Sequence, residues 1–256
     1  MDFFHAIILG IVEGITEFLP ISSTGHLILA QRLLGLASTD FIKSFEISIQ
    51  LGAILAVVVL YWRLLLTNVV IVKKVLAAFI PTAVLGLIFY KLIKKVLLGN
   101  EQVVIWSLLL GGIFLIVFEL FHREKEGSLD NISAISYRQA VLIGVFQSIA
   151  IVPGVSRAAA TIIGGLILGL KRKTIVEFSF LLAIPTMAAA TALDLLKSAS
   201  AFSFEQVGLI SVGFFVSFGV AILGIKFLLH FIKNNNFIGF GIYRIVVAIL
   251  FWLLVK

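Results

Sequence analysis

Six stretches of the chain, residues 43–62, 75–93, 103–121, 175–195, 207–229 and 237–255, are apolar over most of their length. Each is close to the roughly 20 residues a helix needs to cross about 30 Å of hydrocarbon. A soluble fold has no place for six such elements in 256 residues. The rest of the composition agrees. Charged residues make up 13% of the chain, about half the ordinary globular share, and the mean hydropathy is +1.18. An all-α integral membrane protein is expected, and its few polar residues become the informative ones.

Two regions are apolar but too short to span. Residues 3–19 run into Pro20 and are followed by 24–36; residues 138–152 run into Pro153 and are followed by 157–170. Each region predicts two short helices joined at a polar turn, a re-entrant pair that enters and leaves by one face. Irregular backbone at that depth is tolerated only where protein or a watery cavity surrounds it. The regions also resemble each other. Gly10-Ile-Val-Glu13 parallels Gly144-Val-Phe-Gln147, and Pro20-x-x-Ser23 parallels Pro153-x-x-Ser156. Phe45, Leu51 and Gly52 then pair with Phe178, Ile184 and Pro185. With three full spans in each half, the second copy must be inverted in the membrane, an arrangement familiar from transporters. The expectation is a single membrane domain of two inverted repeats, approximately 1–125 and 135–256.

Loop charge predicts orientation. One side holds Arg63, Lys73, Lys74, Arg123, Lys125, Arg138, Lys171, Arg172, Lys173 and Lys233; the other holds Arg32, Lys43, Lys91, Lys94, Lys95, Lys197 and Lys256. The more basic side is expected to be cytoplasmic. The net charge of +7 is explained by these loops, since no basic run exceeds Lys171-Arg172-Lys173; nucleic acid is not an expected partner. Without cysteine there is no disulfide or thiolate chemistry, and four dispersed histidines argue against a histidine-built zinc site. Glu13 and Glu17 interrupt the first apolar stretch and no cationic segment precedes it, so a cleaved signal peptide is not expected. A homodimer is neither required nor opposed by the sequence.

The polar residues gather at the two turns. Glu13 and Glu17, four apart, share a helical face. Such a pair either holds a divalent cation, Mg²⁺ or Ca²⁺ by ligand hardness, or lines a watery vestibule. Beyond Pro20, Ser22, Ser23 and Thr24 are good helix starters. Their amides and the helix dipole make an anion site suited to phosphate, together with Gly25. Ser23 and His26 read as nucleophile and proton carrier, or as a capping serine beside an interfacial histidine. In the second turn, Gly154 and Ser156 precede Arg157, whose fork suits phosphate oxygens or pairs with Glu13 or Glu17. Gln147, Ser156 and Thr161 are neutral donors or packing residues, and Glu46, Gln50 and Glu177 lie further out. Arg244, inside the last span, faces the cavity or pairs with a carboxylate. The inferred ligand is a phosphorylated lipid, with a divalent cation.

The segment Glu13-Gly-Ile-Thr-Glu17-Phe-Leu-Pro-Ile-Ser-Ser-Thr-Gly-His26 resembles the first signature of the bacterial undecaprenyl-diphosphate phosphatase (bacitracin-resistance protein) family. Pro153-Gly-Val-Ser-Arg157 with Thr161 resembles its second. The blocks around Phe45-Glu46, Gln50-Leu-Gly52, Glu177–Pro185 and Tyr243-Arg244 also fit, so the resemblance runs nearly the whole chain. It implies an inner-membrane phosphatase of a polyprenyl diphosphate, acting among membrane lipids and recycling the carrier of peptidoglycan synthesis. It also implies a site opening to the periplasm and functional roles for Glu13, Glu17, Ser23, His26 and Arg157. One departure stands out: the family pattern Ser-Arg-Ser-Gly is here Ser156-Arg157-Ala158-Ala159, so no role transfers to position 158. The type-2 phosphatidic acid phosphatases are disfavoured, because no histidine follows Ser156-Arg157 until His230. A transporter or flippase of a phosphorylated lipid, using the same anion site, is the alternative.

Overall fold

The structure, a computed structural model, describes residues 1–37, 39–92, 100–124, 127–197 and 203–255. Among these are ten α-helices: α1 (Phe3–Thr16), α2 (Ser23–Leu33), α3 (Asp40–Thr67), α4 (Val69–Leu92), α5 (Glu101–Phe121), α6 (Tyr137–Gln147), α7 (Arg157–Ile167), α8 (Arg172–Lys197), α9 (Phe204–Phe231) and α10 (Ile238–Val255). Six of them, α3, α4, α5, α8, α9 and α10, are long and apolar enough to cross a membrane. They overlap the six apolar stretches, α4 beginning six residues before 75–93 and α3 running five past 43–62; residue 93 lies outside the described residues. The protein is an all-α, multi-pass membrane protein. Of the lysines weighed for orientation, Lys94, Lys95, Lys125 and Lys256 lie outside the described residues.

The four short helices form the two pairs that the prolines imply. α1 stops four residues before Pro20, and α2 starts at Ser23. α6 passes into a 3₁₀ turn, Ser148–Ile151, before Pro153, and α7 starts at Arg157. The starts of α2 and α7 share a device. Ser22 and Ser156 cap them from left-handed backbone, φ 72° and 80°, and their hydroxyls accept from the Gly25 and Ala159 amides. Non-glycine residues rarely adopt this region, so each turn is held under strain by its surroundings.

Ion pairs fix which way each pair opens. Arg32, near the end of α2, pairs with Glu101 at the start of α5. Arg172, just beyond α7, pairs with Glu119 and Glu124 at the other end of α5. Because α5 is 21 residues long, roughly 30 Å, the two pairs open toward opposite ends of the bundle.

Small residues let the short helices nest deeply. Gly10 and Gly14 of α1 lie against the backbone of α9, where an added Cβ would sit 2.8 Å from the Gly213 carbonyl and 2.7 Å from that of Ser217. Gly144 of α6 meets the Ala78 carbonyl of α4 in the same way. Close backbone approach of this kind is how helices associate where no hydrophobic effect drives them together.

Candidate active site

The two turns meet. A cavity of about 290 Å³ is lined by Glu17, Ser22, Ser23 and Thr24 from the first and by Val152, Pro153, Gly154, Ser156 and Arg157 from the second. Gln50, Thr82, Gln147 and Thr186 add polar walls from α3, α4, α6 and α8. The starts of α2 and α7 therefore face one space, with the positive ends of both helix dipoles turned to it.

Glu17 ties the turns together. Its Oε2 accepts a hydrogen bond from Ser23 Oγ at 2.6 Å, and its Oε1 lies 3.3 Å from Arg157 Nη2. Both partners of the ion pair are largely enclosed, with side-chain exposures of 12% and 5%. At 3.3 Å the pair is longer than the usual charge-assisted bond, so the guanidinium is not fully committed to Glu17. Its Nη1 donates to the Ser179 carbonyl at 2.9 Å, its Nε has no partner, and the group lies 5.9 Å above the Phe18 ring.

Glu13 stands behind Glu17, fully buried, and neither of its carboxylate oxygens has a hydrogen-bond partner. Its electrostatic neighbours are Glu17, Glu46 and Arg157. Among the described residues no three acidic, histidine or cysteine side chains form a metal cluster. Two carboxylates with vacant lone pairs nevertheless fit a hard cation that takes its remaining ligands from substrate phosphate and water, as Mg²⁺ commonly does.

Glu13 does not line the cavity, and three further expected residues lie apart from it. His26 is buried, with Nδ1 2.7 Å from the Ser22 carbonyl and Nε2 2.9 Å from the Tyr243 hydroxyl. Gly25 packs on Val104 and Leu108 of α5, where it admits close contact rather than ligand. Thr161 is buried and donates to the Arg157 carbonyl at 2.8 Å, one turn back along its own helix. Of the outer residues, Gln50 reaches the cavity, whereas Glu46 accepts from the Gln31 amide.

Arg244 satisfies neither expectation for it. It is fully buried and meets only backbone carbonyls: Ser107 and Leu108 of α5, Pro20 of the first turn, and Gly154 and Val155 of the second. Carbonyl oxygens attend every residue, so no sequence pattern announces such a partner set. Thr82 and Thr186 carry no expectation from the sequence. Both accept from Gln147 Nε2, at 2.9 and 3.1 Å, and each ends an Ile-Pro-Thr tripeptide, at 80–82 and 184–186. That repeated tripeptide was the available signal.

Comparison with known proteins gives the family of the chain. The family model described as bacitracin resistance protein BacA matches residues 6–250. The chain belongs to this family. Among its relatives, a protein of Aquifex aeolicus named undecaprenyl-diphosphatase is 53% identical over 251 residues, 98% of each chain. Proteins of the same name from Sulfurihydrogenibium sp. and Wolinella succinogenes are 54% and 52% identical. They cover 99% and 98% of this chain, and 99% and 97% of their own lengths. Family membership thus spans both turns and all six long helices.

Proposed function

We propose that the chain is a membrane phosphatase that hydrolyses undecaprenyl diphosphate to undecaprenyl phosphate and phosphate. The observation that carries the chemistry is the Ser23–Glu17–Arg157 chain on the wall of a cavity where two helix N-termini end. The name shared by relatives more than 50% identical supports the substrate.

Phosphoryl transfer asks mainly for positioning and charge stabilisation. Ser23 Oγ attacks the terminal phosphorus and passes its proton to Glu17. The bond to the bridging oxygen breaks, and Glu17 returns the proton to the departing undecaprenyl phosphate. Water then attacks the phosphoserine, giving its proton to Glu17, and the serine leaves as the hydroxyl. Arg157 and the turn amides offset the charge on the phosphoryl oxygens. Glu13 and Glu17 would hold a divalent cation, Mg²⁺ or Ca²⁺, which when bound neutralises diphosphate charge. A carrier needs an anion site but no serine hydrogen-bonded to a carboxylate, and no observation favours it.

The paired left-handed serines and the opposite-facing helix pairs support reading the chain as inverted repeats, approximately 1–125 and 135–256. With the more basic loops in the cytoplasm, the first pair opens to the periplasm of the inner membrane. There the reaction would recycle the lipid carrier of peptidoglycan synthesis and confer bacitracin resistance.

The test is phosphate release from undecaprenyl diphosphate by purified protein in detergent. One phosphate per lipid, suppressed by chelator, is expected. Lipid binding without release would overturn the phosphatase reading.

A further inference from the structure

Two buried side chains hold the backbone of the turns, and both are governed by α10. Arg244 places one contact from Nε and two from each Nη on the carbonyls of α5 and of both turns, at 2.8 to 3.4 Å. A guanidinium has five N–H donors, so the fork is fully used. Gly111 makes the room, because an added Cβ there would collide with Arg244 Nη2. The preceding residue, Tyr243, meets His26. The His26 ring stacks parallel to Tyr243, 5.5 Å between centroids, with Nε2 2.9 Å from the hydroxyl. On its other side Nδ1 lies 2.7 Å from the Ser22 carbonyl. A carbonyl can only accept, so Nδ1 carries the hydrogen, and in the neutral ring Nε2 accepts from Tyr243. Both nitrogens are thereby occupied, by a backbone carbonyl and by a phenol, while the hydroxyl of Ser23 is satisfied by Glu17.

We infer that Tyr243 and Arg244 are positioning residues that set the shape of both turns, and that His26 belongs with them rather than carrying protons. Ser22 sits at φ 72°, strained for serine, and the imidazole pins its carbonyl so that the turn cannot relax. Arg244 pins the carbonyls of Pro20, Gly154 and Val155. The assignment rests on the phosphatase reading only for the site it serves; the clamp itself is geometric.

His26→Asn separates the two roles. The asparagine amide nitrogen stands as many bonds from the backbone as Nδ1 and can donate to Ser22, but it cannot titrate. Positioning predicts that His26→Asn keeps kcat/KM within about fivefold, the worth of one hydrogen bond. The shape of its pH profile should match wild type, while His26→Ala falls at least about tenfold further. Loss of a limb of the pH profile in His26→Asn, or a loss equal to that of His26→Ala, would overturn the assignment. Arg244→Lys, with at most three donors, should lower kcat more than it raises KM, and an unchanged kcat would overturn the clamp. Should Arg244→Lys fail to fold, Tyr243→Phe supplies the second reading: a kcat loss with the pH profile intact is expected, and wild-type kinetics would overturn it. A parallel calorimetric titration with inorganic pyrophosphate keeps the test independent of turnover. Binding should survive in His26→Asn and weaken at least about tenfold in His26→Ala. Equal binding by the two would overturn the inference even if the wild type released no phosphate.

Discussion

Ser23, the first residue of α2, donates its hydroxyl across 2.6 Å to Glu17, the residue that caps the end of α1, six positions earlier. The break at Pro20 and the left-handed Ser22 fold the chain back so that the end of α1 meets the start of α2. The same carboxylate reaches Arg157, 140 positions later. A hydroxyl, a carboxylate and a guanidinium are thus in contact before any substrate arrives.

If Glu17 takes the serine proton, Glu17→Gln should lower kcat by about 10²–10⁴, the usual range for a positioned general base. The amide can still accept a hydrogen bond from Ser23, so geometry is kept while basicity is lost. Steady-state phosphate release checks this, with KM expected to change little.

Arg157 makes three contacts with one planar fork: Glu17, the Ser179 carbonyl and the Phe18 face. Arg157→Ala should cost about 10²–10³ in kcat, comparable to loss of an oxyanion donor. Arg157→Lys should recover only part of that, since an ammonium cannot reproduce the fork. Comparing kcat/KM of the two variants decides it; full recovery by lysine would mean that charge alone suffices.

Gly154 adopts φ +91°, and an added Cβ would lie 2.8 Å from Ser107 Cβ and from the Val104 carbonyl. Gly35 has φ +65° and open space around it. Gly35→Ala therefore meets backbone strain alone, about 1–3 kcal/mol, whereas Gly154→Ala adds collision with α5. Thermal unfolding in detergent should rank Gly154→Ala well below Gly35→Ala, and only the former should lose turnover.

The unpartnered oxygens of Glu13 make cation dependence testable. Chelator should abolish turnover and Mg²⁺ should restore it. Glu13→Gln should need a higher free Mg²⁺ concentration for half-maximal rate. An unshifted titration would remove Glu13 from the cation site.

The apolar lengths revealed the six long helices, because hydrocarbon thickness sets a length that composition alone can meet. Pro20 and Pro153 revealed the two breaks, because a missing N–H and a fixed φ end a helix wherever they fall. Hydroxyl, carboxylate and guanidinium side chains near those breaks were legible as a site because burying them apolarly is so costly. The acceptors of Arg244 were not, since backbone oxygens leave no mark in the residue code. Nor was the turning away of His26, which depends on Tyr243 arriving from a helix more than 200 residues later. Gln147 and Glu13 occupy matching places in the two motifs, yet only Gln147 has Thr82 and Thr186 beside it. Which polar residue is satisfied by neighbours is a property of packing.

The most direct test of the shared site is a double-mutant cycle in phosphate release from undecaprenyl diphosphate, pairing Ser23→Ala with Arg157→Ala. Residues that act as a unit are strongly non-additive. The double variant should therefore be no more than a few-fold slower than the slower single one. Losses that multiply, so that the double variant shows the product of both, would mean that the two turns act separately and would contradict a common site.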